Sequence, residues 1–521
     1  MRSDIQHSLS RVSILDTTLR DGDQAAGFAF SADAKLKIGR ALAAVGVDII
    51  ETGFPLSSPA DLEACRLLAL DLSASGFRGL TAVMCRGRRF DIQESAKVFK
   101  GEVPGLLHIS LPVSKIHIEA KLGKTEAEVL DMAREAVSYA AGLCAKVELG
   151  AEDASRADRN FLADYCAAAI EAGASIVNIA DTLGSFCPKE IHDLVSFLLE
   201  KTPAFRDGKA VLSVHCHNDL GLACANTLEA IEAGCGQVEV SVSGIGERAG
   251  NAALEEIAAN LAARPEHYQV STNLLVEKIP PLVSMAAEIS GTSGSLMKPL
   301  SGWNVRAHGS GIHQQGLSRS TETYSPQAAI GFTMVPERIV LSRHSGRAGV
   351  DLFCRRYCGF ELDEETISRV TAHIKSSHFF EEGSAGISEF LCLLADIHKL
   401  PGTYEGPLIV DSWSEHTGAD NEGNIRAQFE ASLKIYGSNK TVQKISGSGD
   451  TAISAAFGAL CKLGTLELKT VSLNGAGNRV RLYAEILADS RIYSAEHSGS
   501  EPSLLLFRCG LDALNAETLR S

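Results

Sequence analysis

Between Arg11 and about Ala262 one unit recurs eight times: a short β-branched run, a polar or glycine-bearing loop, then a longer amphipathic or alanine-rich segment. The runs fall at residues 12–16, 47–51, 80–84, 106–110, 146–149, 176–180, 211–214 and 237–242. Short, nearly continuous apolar runs suit strands buried on both faces, and their alternation with helical patterns implies parallel strands joined by helical crossovers. Eight such units in about 250 residues have the size and period of a (β/α)8 TIM barrel. An open doubly wound sheet is the competing arrangement, but no GxGxxG follows the first run.

A barrel of this kind gathers the residues that end its strands at one mouth, where its chemistry is placed. Here those residues include 17–24, Glu51, His108, Glu148, Asp181, Thr182, His215, His217 and 244–251. Strand alternation sends His215 and His217 to one face and Cys216 to the other. Two imidazoles on one face are half a metal site, although hydrogen-bonded core or rim histidines would look the same. Open catalytic metal sites commonly join two histidines to one carboxylate. Asp21, at the exit of the first run, is the best carboxylate to complete the set. Beside it Arg20 keeps its charge at any working pH and suits a developing oxyanion. Asp16 lies inside the run and is expected to hold neighbouring loops.

At 521 residues the chain exceeds one ordinary core. We divide it into a barrel (11–275), a linker with helical subdomains (276–400) and a C-terminal α/β domain (401–521). The linker carries a helix-like pattern at 274–289, a Gly/Ser-rich stretch at 290–295, and further helical patterns at 347–357 and 364–400. Near the end the period changes to two: Ala427, Phe429, Ala431 and Leu433 alternate with polar residues, and Val480, Leu482, Ala484 and Ile486 repeat the pattern. Residues 446–450 and 498–502 each read as a Gly-rich opening to a helix with an acid, Asp450 or Glu501, near its start. Two strand–helix repeats follow, suiting either a dimerisation module or a ligand-binding one.

The formal charge of -15, from 64 acidic against 49 basic residues, and the absence of a Lys/Arg run weigh against nucleic acid. No stretch approaches the ~18 apolar residues that span a bilayer, and residues 1–10 are polar. No membrane association is therefore expected. Thirteen scattered cysteines without a CxxC pair suit a reducing compartment, so a cytoplasmic location is expected.

Three segments, 15–24, 215–219 and 244–251, resemble the signatures of the 2-isopropylmalate, homocitrate and citramalate synthase family of metal-dependent, Claisen-condensing barrels. The resemblance extends through 310–314 and Tyr324 into the C-terminal region and so covers essentially the whole chain. It implies a divalent metal (Mg, Mn or Zn) held by Asp21, His215 and His217 with Asn251 in or next to its shell. It implies Arg20 polarising the carbonyl of a 2-oxo acid, which His108, Glu148 and Thr182 contact, and Glu247 near the thioester of acetyl-CoA. His313 and Tyr324 match residues that reach the site from a neighbouring subunit of a homodimer. The C-terminal domain matches a feedback site for a pathway end product, here leucine or a related compound.

That chemistry needs a base to remove a methyl proton from acetyl-CoA and an electrophilic carbonyl to receive the enolate. His313, with Glu148 and Tyr324, is the expected base, with an ordered water as the alternative. Asp23 stands where the family usually has Glu, and the segments around His108 and 152–158 look closer to homocitrate synthases. Residues 53–59 and the feedback-like domain favour 2-isopropylmalate synthase, acting on 3-methyl-2-oxobutanoate. Homocitrate synthase (2-oxoglutarate), citramalate synthase (pyruvate), and a non-catalytic amino-acid sensor on a barrel scaffold remain the alternatives.

Overall fold

The computed structural model describes residues 10–99, 103–291, 295, 297–324, 332–335, 337–376, 386–397, 406–419, 425–436, 441–476, 479–488 and 491–520. The chain divides into two compact units, one of residues 1–294 with 299–301 and 330–334, the other of 295–298, 302–329 and 335–521.

The first unit is a closed barrel of eight parallel strands: β1 (Ser13–Asp16), β2 (Ile49–Glu51), β3 (Leu80–Arg86), β4 (Gly105–Pro112), β5 (Lys146–Glu152), β6 (Ile176–Asp181), β7 (Val211–Cys216) and β8 (Gln237–Val240). Each expected run lies on one of them. The last strand pairs with the first, Ser13 opposite Gln237 and Asp16 opposite Val240, so no edge is left open. The helices are α1 (Ala32–Val45), α2 (Pro59–Ala74), α3 (Arg89–Ser95), α4 (Glu126–Ala141), α5 (Arg159–Glu171), α6 (Pro188–Lys201), α7 (Ala223–Glu232) and α8 (Leu254–Ala263). Their starts are chemically marked. Ser31 and Ser58 accept the amides of Ala34 and Asp61, and Thr125 forms a reciprocal capping box with Glu128.

The strands bury two different faces. Ile14, Val83, Leu107, Val177 and Val238 pack outward against Ile38, Leu68, Val137 and other helix residues. Inside the barrel Leu15, Ile49, Ala82, Leu106 and Ile176 form a small apolar layer. Strand alternation then places Glu51 two residues beyond Ile49, and His108 two beyond Leu106, on that same inner face. The interior therefore changes from apolar to ionisable within one step along the strands. The eighth run was expected to reach Val242, but the strand stops at Val240. Residues Val242–Gly244 turn into a 3-10 helix with Ser243 at φ 59°, which starts the loop toward Asn251.

Helix α9 (Ile279–Ser290) follows in the first unit and starts later than the expected 274–289 pattern. In the second unit α10 (Gly311–Leu317) and α11 (Arg347–Phe353) precede α12 (Glu364–Ser376) and α13 (Ile387–Asp396), the last two lying where one 364–400 pattern was expected. Residues 377–385, residues 292–294 of the 290–295 stretch and the expected boundary at 400/401 lie outside the described residues. Two antiparallel meanders end the chain: β9 (Leu408–Ala419), β10 (Ile425–Ile435) and β11 (Thr441–Gly449) with α14 (Ala452–Leu460), then β12 (Leu466–Ala476), β13 (Arg479–Ala488) and β14 (Arg491–Gly499) with α15 (Pro502–Arg520). The alternation along β10 holds, with Ala427, Phe429, Ala431 and Leu433 all buried.

The expected acidic cap differs. Thr451, not Asp450, caps α14 by accepting the Ser454 amide, while Asp450 pairs with Arg426. The Gly-rich segment before it is strand, and its glycines serve contact. A Cβ on Gly447 would lie 2.1 Å from the Ala455 carbonyl oxygen and 2.4 Å from the Ala459 nitrogen, so α14 rests directly on the backbone of β11. Helix α13 shares one core with these strands through Phe390, Leu394, Phe429 and Phe507. The three-part division of the sequence is finer than the two units seen.

Candidate active site

Asp21, His215 and His217 come together, all buried, with one ligand atom from each within 4.8 Å of the others. Asp21 reaches the site because the chain after β1 turns back on itself: the amides of Arg20, Asp21 and Gly22 all point to the Thr17 carbonyl. His215 is on β7 and His217 just past its end, with their Nε2 atoms 3.2 Å apart. The loop after β8 closes over this point. The Asn218 amide donates to the Gly250 carbonyl, the Ala252 amide to that of Cys216, and His217 bridges to Asn251. Asn251 Nδ2 donates to Asp21 Oδ2 at 2.6 Å. Gly246 is required here, since a Cβ would lie 2.6 Å from Asp21 Oδ2 and 2.5 Å from Asn251 Nδ2.

Arg20 is buried between two carboxylates. Its Nη1 meets Asp21 Oδ1 at 3.0 Å and its Nε meets Glu51 Oε2 at 2.6 Å. Burial works against the Asp21 carboxylate, but Arg20 and the two imidazoles outweigh it and hold its pKa at about 2. Burial, reinforced by neighbouring His215, drives the His217 pKa down to about 3. At neutral pH the cluster thus presents a carboxylate and a neutral imidazole, the forms that bind a cation.

A second buried cluster lies inside the barrel: His108, Glu148 and Glu239. His108 Nδ1 is 2.8 Å from Glu51 Oε1 and its Nε2 is 4.0 Å from Glu239 Oε1. Burial opposes its charge, yet Glu239, Glu51 and Glu148 raise its pKa to about 9. Gly150 makes room for the ring, for a Cβ there would lie 2.9 Å from Nε2. Glu148 is fully enclosed and accepts from Gln237 Nε2 at 2.9 Å. Its burial, against the pull of His108, lifts its pKa to about 8.

The remaining expected residues are placed separately. Thr182 follows β6, and its hydroxyl accepts the Asp153 amide. Glu247 is exposed in the loop after β8. In the second unit His313, exposed on α10, stacks on Tyr324 with ring centroids 3.9 Å apart. A Cβ on Gly316 would lie 2.5 Å from that tyrosine ring. Asp23 accepts the Phe30 amide and pairs with the buried Lys35 at 2.8 Å, so its shorter side chain braces the β1–α1 loop.

Several residues at the site carry work the sequence reading did not assign. Glu51 and Glu239 neutralise the interior cations, and Gln237 holds Glu148. Arg248 grips Asp219 with two hydrogen bonds of 2.8 Å while donating to the Thr182 carbonyl, which knits three loops together. The signal was available in part: Gln237 and Glu239 fall on the inner face of β8, where barrels normally carry bulky branched residues.

The donor set fits a divalent cation. Two imidazole nitrogens face each other, a low-pKa carboxylate stands beside them, and Asn251 Oδ1 is buried without a hydrogen-bond partner among the described residues. None of the thirteen cysteines is joined in a disulfide among the described residues. Among the described residues no helix is long and apolar enough to cross a membrane.

Residues 11–285 match the HMGL-like family model, and residues 300–379 match the homocitrate synthase post-HMGL domain-like model. The chain is 34% identical to 2-isopropylmalate synthase from Sediminispirochaeta smaragdinae over 98% of its own length and 99% of the relative's. The 2-isopropylmalate synthases of Pyrococcus furiosus (36% identity, 89% and 90% coverage) and Heliobacterium modesticaldum (39%, 86% and 88%) are similar over most of both chains.

Proposed function

Because the chain belongs to the 2-isopropylmalate synthase family of acetyl-CoA-using acyltransferases, we propose that it condenses acetyl-CoA with 3-methyl-2-oxobutanoate to form 2-isopropylmalate in leucine biosynthesis. The observation that carries this reading is the convergence of Asp21, His215 and His217 beside the buried Arg20.

In this reading Asp21, His215 and His217 hold a divalent cation, with Asn251 at its edge. When bound, such an ion supplies Lewis acidity toward the carbonyl and carboxylate of the 2-oxo acid. Arg20 faces the same oxygen and stabilises the alkoxide that forms as the acetyl-CoA enolate attacks. His108, Glu148 and Thr182 line the oxo-acid side, and Glu247 the thioester side. His313, stacked on Tyr324, is the base that takes the methyl proton, supplied in a homodimer by the neighbouring subunit and acting with Glu148. Hydrolysis of the thioester then makes the reaction irreversible.

The interior charge supports a monocarboxylic substrate. His108 is already surrounded by Glu51, Glu148 and Glu239, so the second carboxylate of 2-oxoglutarate would meet three acids with their counter-charge already engaged. The three-part organisation, 11–275 catalytic, 276–400 linking and 401–521 regulatory, belongs to this proposal. So do a cytoplasmic location and feedback inhibition by leucine.

The test is to supply acetyl-CoA with each 2-oxo acid in turn and follow free CoA. The branched acid is expected to give the highest kcat/KM and EDTA to abolish it; preference for 2-oxoglutarate or pyruvate overturns the substrate assignment. Leucine is expected to raise the Tm of the full-length protein in proportion to its occupancy. An unchanged Tm at millimolar leucine overturns the effector.

A further inference from the structure

Glu239 is a charged residue on the inner face of the last barrel strand, fully buried, and neither of its carboxylate oxygens makes a hydrogen bond among the described residues. Taking a carboxylate out of water costs several kcal/mol unless something compensates it. Two imidazoles stand opposite. His215 Nδ1 is 2.9 Å from Oε2, and His108 Nε2 is 4.0 Å from Oε1. The first contact follows from the sheet itself: His215 and Glu239 are register partners on β7 and β8, so their side chains emerge side by side on the same face.

We propose that Glu239 is a positioning residue that fixes the tautomer and ring orientation of His215 for cation binding. The proposal rests on reading Asp21, His215 and His217 as the cation site. An imidazole with Nδ1 facing a carboxylate carries its proton on Nδ1, which leaves the Nε2 lone pair free. That Nε2 is the atom that faces His217 Nε2. Neither Nδ1 completes a hydrogen bond among the described residues, but that of His215 faces a carboxylate at 2.9 Å, whereas no ion pair is seen there for His217. Orientation of the donor pair therefore depends on His215, and His215 depends on Glu239.

The probe is Mn2+ alone, added to full-length protein stripped with chelator, with the free ion counted by its electron paramagnetic resonance signal. Wild type is expected to bind Mn2+, and His217→Ala to lose it. Glu239→Gln, which keeps the shape and removes the charge, is expected to weaken binding by about 10- to 100-fold. Val238→Ala serves as the structural comparison. Val238 is buried on the opposite face of the same strand, so its truncation should lower the Tm and leave Mn2+ affinity within about two-fold, as it removes packing without touching the donor groups. Should Glu239→Gln not fold, Glu239→Asp retains the charge one methylene further away and is expected to weaken Mn2+ binding several-fold. Equal affinity in wild type and the soluble Glu239 variant overturns the positioning role while leaving the cation site standing. Failure of wild type to bind Mn2+ overturns the cation site, and the positioning role with it.

Discussion

Arg20 is held by Asp21 on one side and Glu51 on the other, and Glu51 in turn holds His108. Burial works against its charge, yet the two carboxylates keep the guanidinium protonated throughout the working range. A lysine in its place offers a single point charge and cannot span both acids. Arg20→Lys is therefore expected to lower kcat by about 10²–10³, the usual loss when an oxyanion donor is removed. CoA release under saturating substrates measures it, and a kcat within about three-fold of wild type would remove Arg20 from the chemistry. Arg20, Asp21, His215 and His217 were legible because they sit in two short motifs where neighbours in sequence are neighbours in space. Glu51, Gln237 and Glu239 were not. Their roles come from cross-strand partners 31 to 89 residues away or on an adjacent strand, which one sequence does not pair.

The barrel strands were readable as elements because strands buried on both faces must be short and apolar, whereas their ends depend on loops that fold only in three dimensions. The 237–242 run shows this. Its last residues are β-branched enough for a strand but turn to bring Asn251 back to Asp21. The 446–450 segment shows the opposite error, glycines read as a turn that are strand. Their meaning is close approach, so Gly447→Ala is expected to push α14 off β11, since a Cβ cannot fit 2.1 Å from a carbonyl oxygen. Hydrogen exchange checks this: amides of Ala452–Leu460 should lose protection while those of α4 keep theirs.

At the scale of the whole molecule the second unit carries its own titrating lock. His497 on β14 is buried with Nε2 3.1 Å from Asp512 on α15 and Nδ1 3.6 Å from Glu389 on α13. Asp512 also accepts the Ser388 amide, and Asn515 binds the Ser388 hydroxyl and both backbone groups of Leu408. Burial disfavours the imidazolium, but Glu389 and Asp512 outweigh it and raise the pKa from 6.5 to about 9. The folded state thus holds a proton that the unfolded chain releases near pH 6.5. This stabilisation is complete below pH 6.5 and is lost as pH rises through about 9. Thermal unfolding between pH 6 and 10 is expected to show a falling Tm in wild type and a shallower fall in His497→Gln. Parallel slopes would assign the pH dependence to other groups.

The hydrogen bond between Asn251 and Asp21 joins residues 230 positions apart, one just after the first barrel strand and one just after the last. The cluster proposed as the cation site therefore straddles the seam where the sheet shuts, and the Asn251–Asp21 contact cannot form on a chain whose final strand has yet to dock. An ion taken up there as proposed would bind only the shut form and so strengthen it by mass action.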